Sequence, residues 1–273
     1  MKPIVKWVGG KQGNLKYIKE LLPSTYNKYY EPFFGGGAVL FGLIDKDKPA
    51  VINDINPELV NLYNQVKTNP TGVIRALEAM DYNHNNSSEP KEYYYTIRDL
   101  FNIHLGSNTD KQAARFIYLN KHCFNGLYRV NKKGEFNVPF NGKVSGDSVD
   151  NYNFWDVCNR LQDVELKCGD FADTVKDASE GDLVFFDSPY APLTPTSFVD
   201  YTKEGFSYDD HVRLADLYNQ LTDRGVYCML TNHDTDLIRT LYKDYNITEV
   251  DVSRSINRNG SNRKGKEVII TNY

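Results

Sequence analysis

Apolar residues follow two rhythms along this chain of 273 residues. Short apolar runs bounded by turn formers predict strands at Lys28–Glu31, Ala50–Asn53, Val164–Lys167, Leu183–Phe186, Val226–Thr231, Ile247–Val252 and Glu267–Thr271. Helical spacing lies between several of them. Ala38–Asp45 follows a glycine turn. Asn56-Pro57 reads as a helix start, with Asn as N-cap and Pro in the first turn, and Leu59, Val60, Leu62, Tyr63 and Val66 then share one face. A further helix carries Val212, Leu214, Ala215, Leu217, Tyr218 and Leu221.

The middle differs. From about Thr68 to Lys121 the pattern is helical and polar. From Cys123 to Phe140 it breaks into short aromatic segments around Lys132-Lys133-Gly134, a hairpin signal. Alternating strand and helix predicts an open α/β sheet, and the helical middle reads as an insertion that interrupts it. In such sheets ligands sit beyond the carboxyl ends of the strands. Asp54, Asp187 and Asn232 each fall just past a strand end, on one rim.

Composition narrows the classes. A hydrophobic share of 40% suffices for one large core or two modest ones. With 32 basic and 36 acidic residues the formal net charge is −4, so any nucleic-acid surface must be local. The four cysteines (Cys123, Cys158, Cys168 and Cys228) form no C-x-x-C pair and no disulfide framework, and the five histidines show no ligand spacing. No metal is expected. The opening MKPIVKWVGGKQ has no apolar signal core and no stretch approaches 18 apolar residues, so a cytoplasmic protein with no membrane partner is expected. Tyrosine is frequent, at 20 residues, which suits packing and also stacking on bases.

Five stretches could carry chemistry. In EPFFGGGAVLF (Glu31–Phe41) a strand runs into three glycines and a helix start, and Asp54 ends the next strand, where a carboxylate can accept from ribose hydroxyls. Leu40 stands where a G-x-G-x-x-G motif would place its last glycine, which favours a nucleoside without phosphates. The plainer alternative is a tight turn with a capping acid. KWVGGK (Lys6–Lys11) is a basic glycine loop around Trp7, or else a surface turn with one anchoring ring. In FFDSPYAPL (Phe185–Leu193) a buried strand stops at an acid, a rigid Pro and an aromatic ring. Asp187 and the Ser188 carbonyl can accept the two hydrogens of an exocyclic amine while Tyr190 stacks on its ring, and Pro189 fixes the turn. From Lys121 to Lys143 there are five Lys/Arg against one acid, Glu135, interleaved with aromatics and asparagines, the mixture that reads and unstacks bases. A second basic run, Arg254–Lys266, has no acid.

Taken together, KWVGGK, EPFFGGG, FNGLYRVNKKGEFNVPF, DSPYAPL, TNHDT and RSI resemble, in order and over nearly the whole chain, the Dam-type DNA adenine-N6 methyltransferases. The resemblance implies a Rossmann-like methyltransferase sheet, mostly parallel with the last strand antiparallel, bearing a helical plus hairpin target-recognition insertion. It implies a catalytic domain at 1–67 and 163–273 and a recognition domain at 68–162. The cofactor would be S-adenosylmethionine, leaving as S-adenosylhomocysteine, and the partner double-stranded DNA containing GATC, with a monomer expected in the absence of DNA.

Residue by residue, Trp7, Lys11, Asp54 and Asp187 match cofactor contacts, Phe33 and Gly35 its loop, and Asp170 and Phe171 the region holding its adenine. Asp187, Ser188, Pro189 and Tyr190 match the catalytic tetrad, with Ser188 where the family has Pro. Lys6 matches a residue near the target bases. Phe124 stands where a Tyr intercalates beside the flipped adenine, with Asn125 next to it. Leu127, Arg129 and Pro139 match readers of the flanking bases, and Asn131 and Asn137 match phosphate contacts. The serine leaves open a second expectation, a GATC-binding protein of the same fold with weakened catalysis.

Overall fold

Strand β4 (Leu183–Phe186) is buried along its whole length, as is β1 (Tyr29–Glu31), the pattern of strands covered on both faces. The computed structural model describes residues 1–193, 205–253 and 264–273. Its other strands are β2 (Ala50–Asp54), β3 (Val164–Cys168), β5 (Tyr227–His233), β6 (Asn246–Ser253) and β7 (Lys264–Thr271). Among the described residues they order as a seven-stranded sheet, β3-β2-β1-β4-β5-β7-β6. β1 lies parallel to both β2 and β4, with Tyr30 opposite Val51 and Val184. β5 runs parallel to β4, Phe186 facing Leu230. β7 is antiparallel to β5 and to β6, so the last strand is inserted in reverse between its two predecessors. This is the mostly parallel Rossmann-like methyltransferase sheet expected from the sequence.

Packing divides the chain into two units. The first comprises residues 1–10, 35–42 and 54–168, the second 11–34, 43–53 and 169–273. In the first, α2 (Ala38–Gly42) is followed by α3 (Pro57–Thr68), α4 (Pro70–Asn85), α5 (Pro90–Ile103), α6 (Asp110–His122) and later α7 (Asn151–Leu161). α3, α4 and α5 open on proline, whose missing N–H costs nothing there, and Asn56 and Asn69 cap the first two. The long helical run is thus three helices past α3, and α2 is shorter than the predicted Ala38–Asp45. α6 is the centre of this unit and buries Ala113, Ala114, Phe116, Ile117 and Tyr118. α3 joins it because buried Glu58 accepts from Gln112 Nε2 at 3.0 Å and from the Gly106 N–H at 2.6 Å. Segment 68–162 lies wholly in this unit, together with α3 and the first ten residues.

In the second unit, α1 (Leu15–Leu21) precedes β1, and α8 (Phe171–Thr174), α9 (Tyr208–Asp223) and α10 (Asp236–Leu241) follow the later strands. Its core joins Val184, Phe186, Cys228, Leu230, Val268 and Ile270 of the sheet to Leu214, Tyr218 and Leu221 of α9. The buried Tyr218 hydroxyl donates to the Cys228 carbonyl at 2.9 Å. Most of the second basic run, 254–263, lies outside the described residues.

Candidate active site and nucleic-acid interface

Four buried apolar residues carry β4 to the rim, and Asp187 is the next residue. Lys11, in a 3-10 turn at Lys11–Gly13, is 4% exposed and places Nζ 2.5 Å from Asp187 Oδ1. Thr231 Oγ1 donates to the same oxygen at 2.9 Å. Among the described residues Oδ2 is left for a further donor. Burial pushes the Asp187 carboxyl above the ordinary range, while Lys11 and Thr231 pull it back.

Tyr190 is fixed on three sides. Its hydroxyl donates to Glu267 Oε2 at 3.0 Å, and Asn14 Nδ2 donates to that oxygen at 2.9 Å. Lys11 Nζ lies 4.6 Å from the ring centroid. His233 meets the ring edge-on at 4.7 Å. Ser188 is buried at 1% exposure and Pro189 is exposed.

Three consecutive residues of β5 hold this turn. Beyond Thr231, Asn232 Oδ1 accepts from the Ala191 N–H at 2.8 Å. His233 Nδ1 lies 2.8 Å from the Ala191 carbonyl, and a carbonyl only accepts, so Nδ1 carries the hydrogen. Asn232 Nδ2 also reaches Ser188 Oγ at 3.5 Å. Both ends of the Asp187–Ala191 turn are therefore pinned from one strand.

The glycine turn belongs to the first unit. Gly35 adopts φ +51°, and a Cβ there would stand 2.6 Å from Trp7 Cδ1. Only glycine lets the Trp7 ring lie against this backbone. Trp7 stacks in turn on Tyr128 at 5.5 Å and on Phe116 at 6.3 Å. Asp54 Oδ2 accepts from the Gly35 N–H at 2.9 Å and Oδ1 from the Asn56 N–H at 2.9 Å. The Ile55 N–H also hydrogen-bonds this carboxylate, and a lone pair remains for a ribose hydroxyl. Desolvation raises the Asp54 carboxyl against these hydrogen bonds.

In the second unit Phe33 stacks on Phe171 at 5.2 Å, and Phe206 meets Phe33 edge-on at 5.8 Å. Asp170 caps α8 through the Ala172 N–H at 2.9 Å. Its two oxygens also take Arg213 Nη1 and Nη2 at 3.1 and 2.7 Å, and the guanidinium lies 4.2 Å over Phe171. Burial acts to raise the Asp170 carboxyl, but Arg213 and the Ala172 N–H together outweigh it and the net direction is down. Asp170 is thus already engaged, and it is the aromatic cluster that offers a flat apolar surface to a nucleobase. Taken separately, the acidic acceptor at the glycine turn of the first unit suits a ribose, and the aromatic slot of the second suits a nucleobase.

The recognition segment also lies in the first unit. Phe124–Gly126 forms a 3-10 turn in which Asn125 takes φ +57°, a conformation asparagine tolerates, and Phe124 is 52% exposed. The Phe124 N–H donates to the Pro139 carbonyl at 2.8 Å, and Cys123 bridges Phe140. Leu127 is half-buried and Pro139 exposed. The hairpin around Lys132-Lys133-Gly134 closes between Asn131 and Glu135, with Val130 bridged to Phe136.

Arg129 is exposed and braced by Asn137, Nε to Oδ1 at 2.7 Å. Asn131 commits its amide to the turn: Oδ1 accepts from the Lys133 and Glu135 N–H groups, and Nδ2 donates to Glu135 Oε2 at 2.7 Å. The Lys6 backbone is held by Asn120 while its side chain is exposed.

Sequence reasoning missed the supports: Thr231, His233, Glu267, Asn14 and Arg213. The run TNHDT at a strand end was the available signal for the first two. Among the described residues no group of three or more His, Cys, Asp or Glu could hold a metal ion, and no helix is long and apolar enough to cross a membrane.

A family model described as D12 class N6 adenine-specific DNA methyltransferase matches residues 7–256. A type II methyltransferase of Lactococcus lactis subsp. cremoris, M1.LlaDCHI, is 43% identical over 282 residues, spanning 100% of this chain and 96% of the relative. The type II methyltransferase M.MjaIII of Methanocaldococcus jannaschii is 42% identical, spanning 100% and 99%. The DNA adenine methylase of Escherichia coli K12 is 33% identical, spanning 100% and 95%.

Proposed function

The chain belongs to the D12 class of N6 adenine-specific DNA methyltransferases, and on that footing we propose that it methylates the exocyclic amine of an adenine extruded from duplex DNA at GATC. The observation that carries the chemistry is Asp187: its Oδ1 is held by Lys11 and Thr231, which among the described residues leaves Oδ2 for a further donor, and Tyr190 follows in the same turn. An incoming amine donates one N–H to Oδ2 and the other to the Ser188 carbonyl.

The amine lone pair of adenine is delocalised into the ring. Two acceptors on its hydrogens favour the pyramidal, nucleophilic form and stabilise the positive charge that develops on nitrogen. The surplus proton then leaves along the hydrogen bond to Oδ2. Tyr190, locked by Glu267, supplies the stacking surface. The Lys11 ammonium, paired with Oδ1, meanwhile favours the ionised carboxylate of Asp187. Placement supplies much of the remaining barrier reduction, so a pinned turn matters as much as its charges.

S-Adenosylmethionine, when bound, supplies the methyl group on a sulfonium sulfur. Trp7, Gly35 and Asp54 in the first unit, and Lys11, Phe33, Asp170, Phe171 and Asp187 in the second, are the residues assigned to it. Asp54 would take its ribose, and the Phe33–Phe171 surface its adenine. Phe124 and Asn125 fill the gap left by the extruded base, and Leu127, Arg129 and Pro139 meet the flanking pairs. Lys6 lies near the target bases and Asn137 meets the backbone of the duplex, while Asn131 shapes the hairpin with its amide. GATC rests on these residues' match to the Dam-type pattern.

The test is transfer of tritiated methyl from S-adenosylmethionine to matched duplexes with and without GATC. Transfer to the GATC duplex alone supports the whole reading. Transfer to another adenine site leaves the chemistry and removes the target. Transfer to neither removes both.

A further inference from the structure

Three asparagine side chains of the first unit repeat one arrangement. An amide group can accept from a backbone N–H and donate to the C=O of the same residue, as a neighbouring strand would. Asn153 does this to Lys2, at 2.8 and 2.8 Å. Asn102 does it to Phe136 in the hairpin, at 2.8 and 3.1 Å. Asn120, 5% exposed on α6, does it to Lys6, at 2.8 and 2.8 Å.

Asn120 also goes further. Its Nδ2 donates a second hydrogen bond to the Gly126 carbonyl at 3.1 Å. One buried side chain therefore ties the Lys6 backbone to the turn that presents Phe124. The other side of this junction is closed by packing. Gly126 sits at φ +66°, and a Cβ there would come within 2.7 Å of Lys6 Cδ and 2.8 Å of Lys6 Cβ. Lys6 and the Phe124 turn are held in one register while the Lys6 side chain and the Phe124 ring stay exposed.

We propose that Asn120 is a positioning residue for base extrusion, holding Lys6 and Phe124 so that cation and wedge engage the DNA together. This rests on the DNA reading above. Without the amide, the Lys6 N–H, the Lys6 C=O and the Gly126 C=O lose their common partner, and cation and wedge move independently. Misplacement of about 1 Å suffices to cost up to about a hundredfold in rate.

The experiment uses the full chain and a duplex carrying 2-aminopurine in place of the target adenine, whose fluorescence rises when the base leaves the stack. Wild type is expected to give the rise on binding. Asn120→Ala is expected to lose most of it and to lower kcat on unmodified DNA by about tenfold or more, with the S-adenosylmethionine Kd within about twofold. Gly126→Ala, which pushes Lys6 off the turn without touching α6, is expected to act in the same direction, so a misfolded Asn120→Ala does not end the test. An unchanged rise and kcat in a folded variant overturns the proposal. So does a loss of cofactor affinity in proportion to the fluorescence, which marks a merely structural residue. A wild type silent on every duplex fails the methyl-transfer reading itself. A responsive wild type with indifferent variants fails the Asn120 assignment alone.

Discussion

Lys11 Nζ stands 2.5 Å from Asp187 Oδ1, and both side chains are largely withdrawn from water. A buried ion pair is costly to break from one side, because the survivor keeps its desolvation penalty, of about 3–5 kcal/mol. Asp187→Asn should therefore lower stability through Lys11, and it should also lower kcat by about 10²–10³ by removing the charge that meets the amine. Adding Lys11→Met should restore stability without restoring activity. Thermal unfolding and methyl transfer on the single and double variants separate the two effects. A double variant that recovers turnover would show that Asp187 does not grip the amine.

The same carboxyl sets a pH dependence. Burial raises Asp187 above its ordinary value of 3.8, with Lys11 opposing. Methylation needs the ionised form, so kcat should fall on the acid side through a single ionisation lying above that value. Lys11→Met should move the limb to still higher pH. The stability sign is opposite: a raised carboxyl favours the folded state when protonated, and that contribution is lost as pH rises through the folded value. An acid limb at the ordinary carboxylate position, or one indifferent to Lys11→Met, would contradict the assignment.

Ser188→Pro should change the rate by less than Asp187→Ala. The role at position 188 is a backbone carbonyl, which both residues possess. Proline would restore a fixed φ, but the turn is already gripped by Thr231 at one end and by Asn232 and His233 at the other. Side-by-side initial rates decide the order. The reverse order would mean that stiffness, not the acid, is what this turn contributes.

Gly35→Ala should weaken S-adenosylmethionine binding by about tenfold and cost about 1–2 kcal/mol in stability, because φ is +51° and the new Cβ would meet Trp7 at 2.6 Å. Calorimetric titration of the cofactor, alongside an unfolding curve, checks both. Unchanged affinity in a folded variant would remove this turn from the cofactor site.

The sheet was legible because its strands are short apolar runs cut off by acids, glycines and prolines. Leu183–Phe186 matches residue for residue, and the last strand is antiparallel, as the family resemblance implied. The chemistry of Asp187, Ser188 and Tyr190 was legible because it sits in one contiguous turn. What holds that turn was not. Thr231 meets Asp187 across 44 residues, and Glu267 meets Tyr190 across 77. Strand order alone decides which of many polar residues comes alongside. Side-chain economy was equally hidden. Asn131 looked available to phosphate, yet its amide closes the hairpin, and Asp170 looked open, yet Arg213 occupies it.

The most direct measurement is a base-resolved map of N6-methyladenine in DNA from a methylation-deficient host expressing the protein, beside the same host expressing Asp187→Ala. Expected is methylation at GATC adenines with wild type and none with Asp187→Ala. Unmethylated DNA from cells containing the folded wild-type protein would contradict an active enzyme with Ser188 in its tetrad, and methylation that survives Asp187→Ala would contradict the site.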